Sequence, residues 1–126
     1  MIAGTVTPDA SEARIQVTVR GPDGRELNAT AVIDTGFTGA LTLSRTSIQR
    51  LALPYLHELV ATLADGATFV TATYEAQVVW DGHLRAITVM AANGDPLVGM
   101  ALLHGYHLGL DVVSGGVITI TALTAA

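Results

Sequence analysis

Apolar and polar residues alternate with a period of two along most of the chain, and this pattern constrains the fold more than any other feature. In residues 14–20, Ile15, Val17 and Val19 alternate with polar side chains, as in a strand that buries one face. The same alternation recurs at residues 27–33, 59–63, 70–80, 84–91, 108–112 and 117–121. Asp-Gly dipeptides at positions 23, 65 and 81 separate several of these runs, as expected of hairpin turns. The sequence therefore predicts an all-β fold whose strands have barrel-like or sandwich-like spacing.

Helical segments are predicted to be few and short. Ser44 is a suitable N-cap for a helix over residues 45–51, which ends before Pro54. A second helical turn is predicted near residues 100–104. The chain has 126 residues and contains no linker, repeat or low-complexity segment, so residues 1–126 are expected to form a single domain.

Composition excludes several classes of function. Only 13% of the residues are charged, the formal net charge is −5 and the six basic residues are scattered arginines, so no basic surface is expected to bind nucleic acid or an anionic membrane. Cysteine is absent, which excludes disulfides, thiol catalysis and thiolate-bound zinc. Neither a signal peptide nor an apolar run long enough to span a bilayer is visible, so we expect a cytoplasmic protein. The small number of charges also suggests that another chain covers some of the apolar surface.

One acidic residue stands out because of its position. Asp34 directly follows the aliphatic residues 31–33 and precedes Thr35 and Gly36, so its carboxylate would need a hydrogen-bonding partner to lie near the core. The simplest interpretation is that Asp34 closes a turn between two strands. Further along the chain, a second aliphatic pair ends in a glycine at residues 97–99.

In this order and spacing, the segments resemble the retropepsin-like aspartic proteases, specifically the small single-domain bacterial members, over nearly the full chain. The shared features are an N-terminal hairpin, the Asp-Thr-Gly loop at Asp34, the helix at residues 45–51, a hairpin with Asp65 and Gly66 at its tip, the loop at residues 97–99 and a last strand at residues 117–120. The resemblance implies an acid-protease fold, a closed β-barrel with one or two short helices. It also implies that the protein uses no cofactor and no metal.

The resemblance further implies that Asp34 is the catalytic residue. Aspartic proteases hold two carboxylates across a water molecule, and because two acids so close together cannot both ionise, they share one proton. One carboxylate takes a proton from the water while the other donates a proton to the peptide carbonyl oxygen. This chain has a single Asp-Thr-Gly, so the second carboxylate must be Asp34 of another copy, as a two-fold dimer allows. The expected protein is an obligate homodimer that hydrolyses an extended peptide or protein substrate.

Other roles follow from the same resemblance. Thr35 would join the two active-site loops through its hydroxyl, and Gly36 would leave room for the substrate main chain. A flap that closes over the substrate would have its tip at Ala64, Asp65, Gly66 and Ala67. The alternative is that Asp65 and Gly66 form an ordinary hairpin turn without substrate contact. Leu97, Val98 and Gly99 would form the second loop of the site. The terminal segments, residues 2–7 and 117–121, would pair across the dimer; the alternative is that they pair only within one subunit.

Four positions depart from the family pattern. Thr38 and Met100 are neutral, whereas viral members pair an acid with an arginine there. Ala101 replaces an aspartate that many cellular members carry, which leaves open how the second loop is held. Phe37 stands where pepsin-like enzymes have a hydroxyl, so we expect a pH optimum less acidic than that of a digestive enzyme.

The sequence also allows other interpretations. His104 and His107 are close in sequence, but two isolated ligands do not make a metal site, and Ser44 lacks the surroundings of a nucleophilic serine. A protein with the same fold could instead be a dimeric peptide-binding module with little or no cleavage. In a third interpretation, the chain is an all-β assembly protein and Asp34 is only a turn residue.

Overall fold

The computed structural model describes residues 1–62 and 65–124, and most of these residues form β-strands. In chain order, the elements are β1 (Ile2–Val6), β2 (Ala13–Arg20), β3 (Glu26–Ile33), β4 (Leu41–Leu43), α1 (Arg45–Arg50), β5 (Tyr55–Thr62), β6 (Thr68–Trp80), β7 (His83–Ala91), β8 (Leu97–Val98), α2 (Met100–Leu103), β9 (Tyr106–Leu110) and β10 (Val117–Ala122). The prediction of a mainly β fold with two short helices is therefore confirmed. In the described part of the chain, no helix has the length and apolar character needed to cross a bilayer.

Two element boundaries differ from the predicted ones. Ser44 caps α1 as predicted, by accepting a backbone N–H of the first turn at 3.2 Å, but the helix ends at Arg50 with Leu51 as its C-cap. β5 begins at Tyr55, well before the apolar run at residues 59–63. The reason is that β6 has 13 residues and pairs with β5 as far back as Tyr55.

All ten described strands share one sheet, in the order β5-β6-β7-β4-β8-β3-β2-β1-β10-β9. β6 also pairs antiparallel with β2, through residues 18–20 of β2. This contact joins the two ends of the run β6-β7-β4-β8-β3-β2, so the sheet curls back on itself. Because so few residue pairs make the contact, the closed barrel that the resemblance implies is only partly formed.

The hydrophobic core lies between the buried faces of these strands. Ile15, Val17 and Val19 of β2 are buried, as the alternation predicts, and they belong to one cluster with Val78 and Trp80 of β6. Burying an aliphatic side chain of this size stabilises a fold by about 1.5–3 kcal/mol. Polar side chains on the other face of β2 form hydrogen bonds across to β3.

Short strands in the middle of the sheet bring two loops together. β8 is parallel to β3 on one side and antiparallel to β4 on the other. The β4–β8 ladder is short, and the buried hydroxyl of Thr42 extends it by accepting the backbone N–H of Leu97 (Oγ1 to N, 2.9 Å). The ends of β3 and β8, at Ile33 and Val98, therefore lie side by side.

The terminal strands pair within the chain. β1 pairs with both β2 and β10, and β10 lies between β1 and β9. Because the chain turns back after β9 to form a hairpin with β10, β10 has a neighbour on each side. β1 pairs with β10 through residues 2–5 and with β2 through residues 4–6. The terminal segments therefore pair within one subunit, which is the alternative that the sequence left open. Among the strands that the structure describes, β5 and β9 form the two ends of the sheet.

The turn between β1 and β2 depends on the carboxylate of Asp9. It accepts hydrogen bonds from the hydroxyls of Thr7 and Ser11, both at 2.7 Å. These bonds, with a further one from the Ser11 backbone N–H, lower the pKa of Asp9 from 3.8 to about 2. The turn is therefore best formed when Asp9 is ionised.

Candidate active site

Asp34 directly follows β3, and backbone groups hold it on both sides. Its own N–H donates to the carbonyl of Val98 (2.9 Å), which continues the β3–β8 ladder. Its carboxylate Oδ1 accepts the backbone N–H of Gly36 (2.9 Å), and its carbonyl accepts that of Phe37 (3.1 Å). Asp34 therefore does close a turn, as the simplest interpretation of the sequence predicts. The same bonds fix the orientation of its half-buried carboxylate. No donor among the described residues contacts Oδ2, so this oxygen is available to another group.

The second loop packs closely against the Asp34 loop. Three consecutive backbone N–H groups, from Gly99 to Ala101, donate to carbonyl oxygens within residues 37–40 at distances of 2.8–3.1 Å. A Cβ on Gly99 would collide with the carbonyl oxygens of Phe37 and Gly39. Glycine is therefore required for this close approach of the two backbones, which explains the residue at the end of the second motif.

Arg85 of β7 also holds the second loop, and sequence reasoning did not identify it. Its Nη1 donates to the carbonyl of Leu102 and its Nη2 to that of Ala101, both at 3.0 Å. These bonds explain how the loop is held although residue 101 is an alanine and not an aspartate. The one signal in the sequence is that Arg85 shares a face of β7 with the buried Ile87 and Val89.

A cleft of about 680 Å³ opens beside the Asp34 loop. Its walls are formed by the Asp34 loop, by β5 to β7 and by the start of α2: residues 36–40, Leu59, Val60, Thr62, Thr73, residues 85–88, Met90 and Ala101. Most of these residues are small or apolar, and β5 is an end strand of the sheet. Apolar walls beside an open strand edge suit an extended peptide, which can add to the edge through its backbone.

The hairpin of β5 and β6 carries the predicted flap. Asp65 and Gly66 lie in its turn, where Gly66 has a φ of +86° and the Asp65 carboxylate accepts the N–H of Ala67 (2.9 Å). Asp65, Gly66 and Ala67 do not line the cleft, whereas β5 does. Ala64 lies outside the described residues. The described part of the predicted tip is thus a hairpin turn that does not line the cleft, although Thr62 at the end of β5 does.

The structure brings the Asp34 loop and residues 97–99 together, as predicted. The exposed Thr35 does not line the cleft described above but a separate groove of about 470 Å³, which it shares with Tyr106 and Leu108 of β9. Within residues 1–62 and 65–124, no three histidine or acidic side chains are grouped as metal ligands would be.

The fold is similar to that of a solved protein, described as a "retropepsin-like aspartic protease from Rickettsia conorii", with a TM-score of 0.61. The match covers 98% of this chain and 91% of that one, at 19% sequence identity. No protein-family model and no curated protein sequence matches the chain. The likeness shows the retropepsin-like all-β fold that the sequence predicted.

Proposed function

We propose that this chain is an aspartic endopeptidase that works as a homodimer, with Asp34 of each subunit supplying one of two catalytic carboxylates. The observation that carries the proposal is the retropepsin-like fold, together with the position of Asp34 at the end of β3 beside the residues 97–99 loop. The acid stands at a strand end, backbone groups fix it, and its loop forms one wall of an apolar cleft. One carboxylate oxygen accepts the Gly36 N–H, which leaves the other for a water molecule or for the partner's acid.

In this mechanism the two Asp34 carboxylates share one proton, because two acids at such short range cannot both ionise. The ionised carboxylate removes a proton from a water molecule, whose oxygen attacks the carbonyl carbon of the peptide bond. The protonated carboxylate donates its proton to the carbonyl oxygen. The tetrahedral intermediate then collapses, the C–N bond breaks and the leaving nitrogen takes up a proton. One peptide bond and one water become one carboxyl group and one amine.

The remaining parts of the site position the substrate in this proposal. An extended peptide lies in the cleft against Leu59 and Val60 and pairs with the open edge of β5. The β5–β6 hairpin then closes over it by a hinge motion. Gly36, which has no side chain, leaves room for the peptide backbone beside the catalytic acid.

The test compares the wild-type chain with Asp34→Asn and Asp23→Asn on a library of peptides. Asp23 is a matched control, because its carboxylate also accepts the backbone N–H of the residue two positions on (Arg25, 3.0 Å), but it does not line the cleft. We expect the wild type and Asp23→Asn to cleave alike. Loss of one acid–base group typically lowers such a rate by about 10²–10⁴-fold, so Asp34→Asn should fall at least that far. Sedimentation should show that Asp34→Asn still dimerises.

Mixing the two chains tests whether the acids come from different subunits. Heterodimers with one carboxylate should be inactive, so adding an equal amount of Asp34→Asn to a fixed amount of wild type should lower its activity to about half once subunits exchange. Unchanged activity after exchange would contradict a site shared between subunits. A wild-type dimer that binds library peptides without cleaving any would favour the peptide-binding module instead.

A further inference from the structure

We propose that Arg85 selects peptides by binding the carboxylate of an aspartate or glutamate side chain in the cleft beside the Asp34 loop. The inference rests on the proposed function, because it names which peptides that site prefers. Arg85 lines the cleft, and it is the one side chain of the described cleft wall that carries a formal charge at neutral pH. The other wall residues are glycines, threonines and apolar residues.

Arg85 has no acidic partner in the part of the chain that the structure describes. Three other arginines, Arg14, Arg20 and Arg25, form ion pairs with carboxylates. No described ion pair includes Arg85, and both of its hydrogen bonds go to neutral carbonyls. Arg85 is also half-buried, and a charge that is partly removed from water is costly without a counter-ion. A carboxylate brought by a peptide would supply that counter-ion.

The guanidinium of Arg85 is held in place and still has donors to offer. Nη1 donates to the carbonyl of Leu102 and Nη2 to that of Ala101. The Nε N–H and the second N–H of each Nη form no hydrogen bond to any described residue. A carboxylate can accept two parallel N–H groups from a guanidinium. Because α2 already fixes this guanidinium, binding a carboxylate costs little further side-chain entropy.

Residue Ala101 connects the guanidinium to the Asp34 loop. The N–H of Ala101 donates to the carbonyl of Gly39 (3.1 Å), and the carbonyl of Ala101 accepts from Arg85 (3.0 Å). The charge is thus fixed relative to the loop but is bonded to α2 and not to Asp34 itself. We therefore expect Arg85 to bind a residue of the peptide other than the two that flank the scissile bond.

The charge of the rest of the chain makes the expected selection a local one. The formal net charge is −5, so the overall field disfavours acidic peptides. Glu58 of β5 and Glu75 of β6 belong to strands that border the cleft, but neither lines it. Salt screens exposed charges that lie more than about 8 Å apart, so a direct contact with Arg85 outweighs these more distant carboxylates. We expect a preference for an acidic residue at a particular position and not for acidic peptides in general.

The test compares peptides that differ only in one carboxylate. A library peptide that the wild type cleaves is made with blocked termini and with either glutamate or glutamine at each position in turn. At one or more positions that do not flank the cleaved bond, we expect kcat/KM to be about five- to tenfold higher for the glutamate peptide. Equal values at every position would overturn the inference. So would a preference that appears only when the peptide has a free C-terminus, because the chain end would then supply the carboxylate.

Variants of Arg85 separate peptide selection from the support that this residue gives to α2. Arg85→Met should bring the glutamate-to-glutamine ratio to about one, and Arg85→Lys, which keeps the charge, should keep part of the preference. Both peptides are measured on the same preparation, so the ratio does not depend on the folded fraction, and a merely structural role would leave it unchanged. Arg45→Met, at an exposed position outside the cleft wall, is the matched control and should keep the wild-type ratio.

Salt gives a measurement that needs no variant. The wild-type ratio should fall towards one between about 0.05 and 0.5 M salt, because the contact joins two charges. If Arg85→Met does not fold, Arg85→Lys and the salt dependence decide. A folded Arg85→Met chain with the wild-type ratio would overturn the inference.

Failure of this inference can be told apart from failure of the proposed function by measuring binding as well as cleavage. The same peptide pairs are titrated by calorimetry into Asp34→Asn, which should bind them without cleaving them. Preferential binding of glutamate peptides, with no cleavage of any peptide by the wild type, would support the role of Arg85 and contradict the protease proposal. Cleavage by the wild type without any preference would do the reverse. A chain that neither binds nor cleaves a library peptide would contradict both.

Discussion

Replacing Arg85 by methionine measures how strongly the second loop is held. The two bonds of its guanidinium go to carbonyls at the end of α2, where a helix leaves carbonyls without internal partners. A hydrogen bond to a charged group is worth about 1.5–3 kcal/mol when buried. Here the bond to Leu102 is partly buried and the bond to Ala101 is exposed, so we expect a combined loss of about 2–3 kcal/mol. Methionine keeps the aliphatic stem, so little packing is lost.

Thermal and urea denaturation of Arg85→Met provide the assay. For a domain of this size the expected loss lowers Tm by about 6–12 °C. Arg85→Lys should lie between methionine and wild type, because it keeps the charge but cannot reach both carbonyls with one planar group. Arg45→Met, at an exposed position of α1, is the matched control and should change stability by less than about 0.5 kcal/mol.

Two further measurements distinguish the hydrogen bonds that Arg85 donates to the loop from a general effect of its charge. Both acceptors are neutral carbonyls, so the stability difference should change little between about 0.05 and 0.5 M salt. Hydrogen exchange should speed up at the N–H groups of Met100 and Ala101, which bond to the Asp34 loop. Wild-type stability together with unchanged exchange at these two groups would refute the role given to Arg85.

Two more substitutions test the framework of the site. Thr42→Val removes the hydroxyl that accepts the Leu97 N–H inside the core. It should therefore lower the free energy of unfolding by about 1–3 kcal/mol and speed hydrogen exchange of that N–H. Thr42→Ser keeps the hydroxyl and should keep the protection of the N–H from exchange. Asp9 has a lower pKa folded than unfolded, so its ionised form stabilises the protein above about pH 4, and this contribution is lost as pH falls towards 2. Asp9→Asn should therefore be less stable than wild type at pH 6, and urea titrations should show the gap closing between about pH 4 and 2.

How much of this fold the sequence predicts depends on how far apart in the sequence the interacting residues lie. Strands follow from the alternation because each needs one buried face, as Ile15, Val17 and Val19 show in β2. Strand partners do not follow, because the pairing of β1 with β10 and of β2 with β6 joins distant segments. The sequence predicts the wrong start for β5 for the same reason. The residues after Pro54 form a strand because the long β6 pairs with them.

The candidate site likewise has residues that the sequence identifies and residues that it does not. Asp34 is recognisable in the sequence because it is an acid that directly follows aliphatic residues. The loop at residues 97–99 is recognisable because it ends in a glycine, which allows two backbones to lie in contact. Arg85 was not recognisable, because its acceptors are backbone carbonyls, which every residue possesses. That Asp65 does not line the cleft was equally hidden, since this depends on how the β5–β6 hairpin is placed in the fold rather than on the residues at its tip.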